Sequence, residues 1–166
     1  RSTAAEALGK MGPENKEAVP ALIKALGDSE NDVRRRVAVA LGEIGPLAKE
    51  AVPALIKALG EHDWVVRSLA AQALGRIGPE AKKAITALVK VIDYRDKWVQ
   101  EKVTEALEKI SGTKEAVPAL IIALDDADSQ VRREAVSELG RMGTRARGAI
   151  PALIKVLDDR EGNVRR

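Results

Sequence analysis

Apolar positions along this chain recur with helical spacing twice inside a period of 33 residues, and the same pattern restarts at residues 18, 51, 84 and 116. Residues 18–50 read AVPALIKALGDSENDVRRRVAVALGEIGPLAKE and residues 51–83 read AVPALIKALGEHDWVVRSLAAQALGRIGPEAKK. The unit 84–115 is one residue shorter, losing a position in SGTKE, and 116–148 returns to full length. Residues 1–17 are the second half of such a unit and 149–166 the first half of another, so the array fills the chain. Within a unit, Val19, Leu22, Ile23 and Leu26 form one apolar stripe at helical spacing. Val33, Val37, Ala40, Leu41 and Ile44 form a second. Pro20, Pro53, Pro118 and Pro151 fall in the first turn of the first helix, where a missing N–H removes no hydrogen bond. Gly27 and Gly60 stop that helix, and Gly45-Pro46 and Gly78-Pro79 end the second and turn the chain. Ala40, Ala73 and Ala106 recur on the second stripe and let neighbouring helices approach closely. One helix pair cannot bury its stripes alone, so the pattern predicts stacked pairs, an α-solenoid.

The run AVPALIKALGD followed by DVRRRVAVALGEIG resembles the HEAT-like repeat, in the short variety found in phycobilisome lyases and in artificial HEAT-like repeat proteins. The resemblance covers the whole chain. It implies an all-α, right-handed solenoid in which the second helix of each unit lines the concave face and the first lines the convex face. It also implies a scaffold that binds other proteins, a statement about fold more than about partner.

Because the units repeat, each structural position is sampled several times within one chain. An arginine column reads Arg1, Arg34, Arg67, Gln100, Arg132, Arg165, and six residues before it stands Asp28, Glu61, Tyr94, Asp126, Asp159. Gln100 and Tyr94 interrupt both columns in the same unit. That joint loss predicts a ladder of pairs, within or between units, in which Arg34, Arg67 and Arg132 and the acids Asp28, Glu61 and Asp126 set the stacking register. Phosphate recognition by these arginines is the alternative. The surface columns of the second helix are polar except in the middle units, where Trp64, Val65, Leu69 and Trp98 form an apolar island on two adjacent helices. Val39, in another polar column, extends it. An aromatic island rimmed by charge has the composition of a binding hot spot; the alternative is that both rings plug gaps at the interhelical turn. Two further departures are Ile122, in a lysine column on the outer face, and Glu138, in the column of Ala40, Ala73 and Ala106. Glu138 is expected at the half-exposed edge of the stripe near an arginine.

Composition narrows the function classes. Aromatic residues make up 2% of the chain against 45% hydrophobic, so the interior is aliphatic. With no cysteine and one histidine, His62, the chain has no thiolate nucleophile, no Cys-ligated metal and no two-histidine metal motif. His62 reads as a solvated loop residue. Phosphate-loop glycine patterns are absent, as are a signal peptide and an apolar run long enough to span a membrane. These readings describe a soluble, cytoplasmic, non-enzymatic protein that needs no cofactor. The net charge of +3 and the cluster Arg132, Arg133, Arg141, Arg145, Arg147 keep weak nucleic-acid contact as a third class, although the second-helix surface lacks a clean basic stripe. The half-units at both ends lack polar caps. They imply a spacer or segment of a longer array, or ends that stack on another copy. The favoured expectation is a protein- or peptide-binding scaffold acting through the concave face.

Overall fold

Eleven α-helices are described: α1 (Ser2–Lys10), α2 (Val19–Ala25), α3 (Asn31–Ile44), α4 (Val52–Ala58), α5 (Trp64–Ile77), α6 (Ile85–Lys90), α7 (Lys97–Ser111), α8 (Val117–Ala123), α9 (Ser129–Met142), α10 (Ile150–Val156) and α11 (Gly162–Arg165). The computed structural model covers residues 1–91, 96–111, 116–159 and 161–165, and no strand occurs among them. Tyr94 and residues 112–115 of the shortened connection lie outside these described residues.

The even-numbered helices up to α10 are the first helices of the repeat and the odd-numbered ones the second. Prolines stand at the N-terminal positions of α2, α4, α8 and α10. The second helices α1, α3, α5, α7 and α9 run longer than the first; α1 stacks on α3, α3 on α5 and α5 on α7, and α2, α4, α6 and α8 each pack on the second helix that follows. The chain is therefore an all-α solenoid with two layers of helices. Its core is aliphatic and rich in alanine: Val37, Ala38, Ala40, Leu41 and Ile44 of α3 and Val66, Ala70, Ala71, Leu74 and Ile77 of α5 have no accessible surface.

The Gly-Pro sites do more than turn the chain. Gly45 and Gly78 adopt φ of +66° and +72°, a left-handed conformation that ends the α-helix at little steric cost. Each then opens a seven-residue 3-10 helix, Gly45–Ala51 and Gly78–Ala84, which runs directly into the next first helix. Inward alanines, Ala48, Ala51, Ala81 and Ala84, have no accessible surface, so one side of each connection joins the core.

The spacing of second helices is set by small residues. A Cβ added to Gly9 would lie 2.7 Å from the Ala40 Cα, one on Gly42 3.2 Å from the Ala73 Cα, and one on Gly75 2.9 Å from the Ala106 Cα. Three successive seams thus use one device, a glycine set against an alanine. In the fourth seam the corresponding residues are Glu108 and Glu138, and α9 makes much less contact with α7, packing instead on α6 and α8. Glu138, expected at a half-exposed edge, is buried, with 4% of its surface accessible and its Oε2 3.4 Å from Arg141 Nη1. A helix lacking a close neighbour there can turn a long carboxylate inward, and the arginine one turn on partners it.

Candidate functional site

The loops between first and second helices are clamped by the arginine column. Arg34 Nη1 donates to the carbonyl oxygens of Asp28 (2.6 Å) and Ser29 (3.2 Å). Arg67 does the same to Glu61 (2.9 Å) and His62 (3.0 Å), and Arg132 to Asp126 and Ala127, both at 3.0 Å. The remaining guanidinium nitrogens reach forward to the next unit. Arg1 pairs with Asp28 (2.6 Å), Arg34 with Glu61 (3.5 Å), and Arg132 with both carboxylate oxygens of Asp159 (2.7 and 3.0 Å). The hydrogen bond to Asp159 raises the already high pKa of Arg132 and outweighs burial, which by itself would lower it. Arg67 is turned toward Asp96, 3.7 Å away, two residues beyond the column position of Tyr94. Asp126, whose forward partner column holds Gln100, takes Lys90 at 2.8 Å instead, and that hydrogen bond holds its carboxyl below the usual carboxylate range. The described ion pairs of the column run between units.

A second set of carboxylates caps the second helices. Asp63 accepts from the amides of Val65 (2.8 Å) and Val66 (3.3 Å), and from Asn31 Nδ2 (2.7 Å) and Arg35 Nη2 (2.6 Å) of the preceding unit. Burial alone would push its carboxyl up; the hydrogen bonds from Arg35, Val66 and Val65 outweigh that and hold it low. Asp96 caps α7 through the amides of Trp98 (3.2 Å) and Val99 (3.3 Å).

These caps place the tryptophans. Trp64 is the first residue of α5 and Trp98 the second of α7, at the same end of two adjacent helices, and they are 45% and 63% exposed. Val65 occupies on α5 the register of Trp98 on α7 and is half-buried. Leu69, one turn further along α5, is half-buried and packs partly on the core. Val39 is also half-buried, but it lies eight register positions beyond Trp64, about 12 Å further along its helix at 1.5 Å per residue. Its place is therefore beside the middle of the helices, away from the tryptophan-bearing end. Arg35–Asp63 and Arg67–Asp96 flank the rings with paired charge.

One feature of this face escaped the sequence reading. Between α7 and α9 a cleft of about 530 Å³ opens, lined by Lys97, Gln100, Glu101, Thr104, Glu105, Glu108 and Arg141. Lys102 (3.1 Å) and Lys109 (2.6 Å) both bond Glu105 and hold its carboxyl low. Across the cleft, burial pushes the Glu134 carboxyl up, Arg141 opposes that, and Glu138 adds to it. The signal was present: Glu108 breaks the column Gly9, Gly42, Gly75, just as Glu138 breaks the alanine column facing it.

The arginine cluster at the C-terminal end is largely occupied by intramolecular partners. Arg132 holds Asp159, Arg133 stands 3.6 Å from Glu134, Arg141 lies 3.4 Å from Glu138 and 3.7 Å from Glu108, and Arg145 Nε reaches the Met142 carbonyl at 3.4 Å. Among the described residues no group of three or more His, Asp or Glu side chains is arranged to hold a metal, and no helix is long and apolar enough to cross a membrane. His62 is an exposed loop residue and Ile122 is exposed on the first-helix layer.

A sequence profile described as HEAT repeats matches residues 1–74, 47–108 and 85–166. Among solved structures, the complex of CpcE and CpcF of phycocyanin lyase from a Nostoc species is similar at 32% identity and a TM-score of 0.61, over 99% of this chain and 67% of that one. An engineered protein is similar at 26% identity and a TM-score of 0.59, over 98% of this chain and 85% of its own. A designed armadillo repeat protein in complex with the peptide (KR)4 shares the fold at 21% identity, with a TM-score of 0.59 over 98% and 86% of the two chains. Among curated protein sequences, none matches this chain.

Proposed function

Since the chain belongs to the HEAT-repeat family, we propose that it is a non-catalytic scaffold that binds a protein or peptide on its second-helix, concave face around Trp64, Val65, Leu69 and Trp98. The observation that carries this reading is the exposure of both tryptophans at the same end of adjacent helices, in columns that other units fill mostly with polar residues. Two large rings left in water cost hydrophobic free energy that a core position would recover, of the order of 2 kcal/mol each. A partner's surface recovers it instead. Val39, displaced toward the middle of the helices, belongs to the margin of the surface. Proteins of similar fold occur with partners: a designed armadillo repeat protein is in complex with a peptide, and CpcE is in complex with CpcF.

The test uses a displayed library of random peptides selected on the 166-residue chain. Enriched peptides are expected to lose binding to a Trp64→Ala/Trp98→Ala variant whose thermal midpoint is nearly that of the parent. Equal binding to parent and variant overturns the reading, and a large loss of stability in the variant would assign the rings to packing.

A second reading has its own observation. Ile150, Ile154 and Leu157 form an exposed apolar stripe at the last first helix; Leu157 is 65% exposed, where its counterpart Leu59 is 1% exposed. That stripe fits stacking on a further repeat, whether of a longer array or of a second copy.

A further inference from the structure

We propose that the seam between α7 and α9 is a hinge, on which the fourth unit swings against a stiff block formed by α1 to α7. The inference stands apart from the partner-binding reading, because it rests on how the units pack.

Three seams in the block share one construction. Gly9 and Gly75 admit the backbones of Ala40 and Ala106 at distances where even a methyl group would collide, and Gly42 admits that of Ala73 at one where a methyl would be tight. Such a seam is dry and close-packed, and separating it exposes apolar surface along the whole helix. Thr104 and Glu108 replace Ala71 and Gly75 on the face of α7 turned to α9, and Glu138 replaces the opposing alanine. The two helices stand apart over a polar cleft of about 530 Å³.

Among the described residues, the ion pair that spans the gap is weak. Arg141 Nη1 lies 3.7 Å from Glu108 Oε1, and both side chains are more than half exposed, so breaking this pair exchanges it for water at little cost. The other layer stays closed at this point. Helix α6 packs on both α8 and α9, and Lys90 bonds Asp126 at 2.8 Å. A joint held along the first-helix layer and parted along the second has an axis, and widening the cleft changes the curvature of the array. Glu138, buried at 4% exposure, has its carboxylate 3.4 Å from Arg141 of its own helix, a contact that does not cross the seam.

The sequence contains no cysteine, so spin labels can be placed at will on the full chain. A pair at Arg76→Cys and Ser137→Cys spans the hinge, and a pair at Lys10→Cys and Arg76→Cys lies within the block. The hinge pair is expected to show a broader distance distribution by pulsed electron paramagnetic resonance than the block pair. Glu108→Gly/Glu138→Ala restores the small-residue seam and is expected to remove the broad component and shorten the mean distance. Should the glycine cost the helix, Glu108→Ala/Glu138→Ala keeps helix propensity and is expected to narrow the distribution in the same direction, with circular dichroism reporting the fold. A hinge pair as narrow as the block pair overturns the proposal. So does a breadth that neither folded double variant changes.

Discussion

Arg35 Nη2 lies 2.6 Å from Asp63 Oδ2, across the boundary between α3 and α5, while the other oxygen of the same carboxylate caps α5 through the amides of Val65 and Val66. One buried carboxylate thus starts a helix and joins it to its predecessor. Asp63→Ala loses both roles and is expected to destabilise the chain by about 1–3 kcal/mol. Asn remains a competent cap, so Asp63→Asn is expected to cost less, and chemical denaturation of the two variants measures the difference.

The same group makes a pH prediction. Its folded-state pKa lies below the ordinary carboxylate value, so its contribution to stability is present above the unfolded pKa and is lost as pH falls through the folded one. Asp126 adds in the same sense, through Lys90. Glu134 works oppositely: its raised pKa means that stability falls as pH rises from the ordinary carboxylate value through the raised one. Melting Asp63→Asn across the acid range is expected to show a shallower loss of stability than the parent.

Two glycines in one repeat column are expected to respond with opposite signs. A Cβ at Gly75 would meet the Ala106 Cα at 2.9 Å, whereas one at Gly140 meets nothing within 4 Å. Gly75→Ala should destabilise by about 1–3 kcal/mol through overpacking. Gly140→Ala should stabilise by roughly 0.5–1 kcal/mol, because alanine loses less backbone freedom in a helix. Thermal or denaturant melts of the two variants check both signs.

The ladder is uneven. Arg132 and Asp159 are 6% and 10% exposed, and removing the acid strands a buried guanidinium, so Asp159→Ala is expected to cost about 3–5 kcal/mol. Arg1, 63% exposed, makes a pair with Asp28 whose loss in Arg1→Ala should cost under about 1 kcal/mol and vary with salt. Urea unfolding at low and high salt separates the two cases.

The stripe Ile150, Ile154 and Leu157 gives a concentration test. Light scattering of the 166-residue chain is expected to show mass rising with concentration, and Ile154→Glu/Leu157→Lys is expected to suppress that rise.

The sequence by itself determined the helices, their pairing and the solenoid, because a stripe such as Val33, Val37, Leu41 and Ile44 has one way to leave water, and stacked repeats supply it. It also marked Trp64 and Trp98 as out of place, since rings in polar columns are visible without coordinates. The direction of the ion pairs was not legible. Arg34 reaches forward to Glu61 yet also holds the Asp28 carbonyl behind it, and a column pattern fits both contacts. Val39 stands eight register positions beyond Trp64 but three beyond Leu69, so it extends the surface from the leucine and not from the rings. Only the tertiary structure showed that Glu108 and Glu138 both stand beside Arg141 at the same seam. Whether two substitutions in separate units meet depends on which helix faces oppose, and here that meeting turned a close-packed seam into a polar cleft.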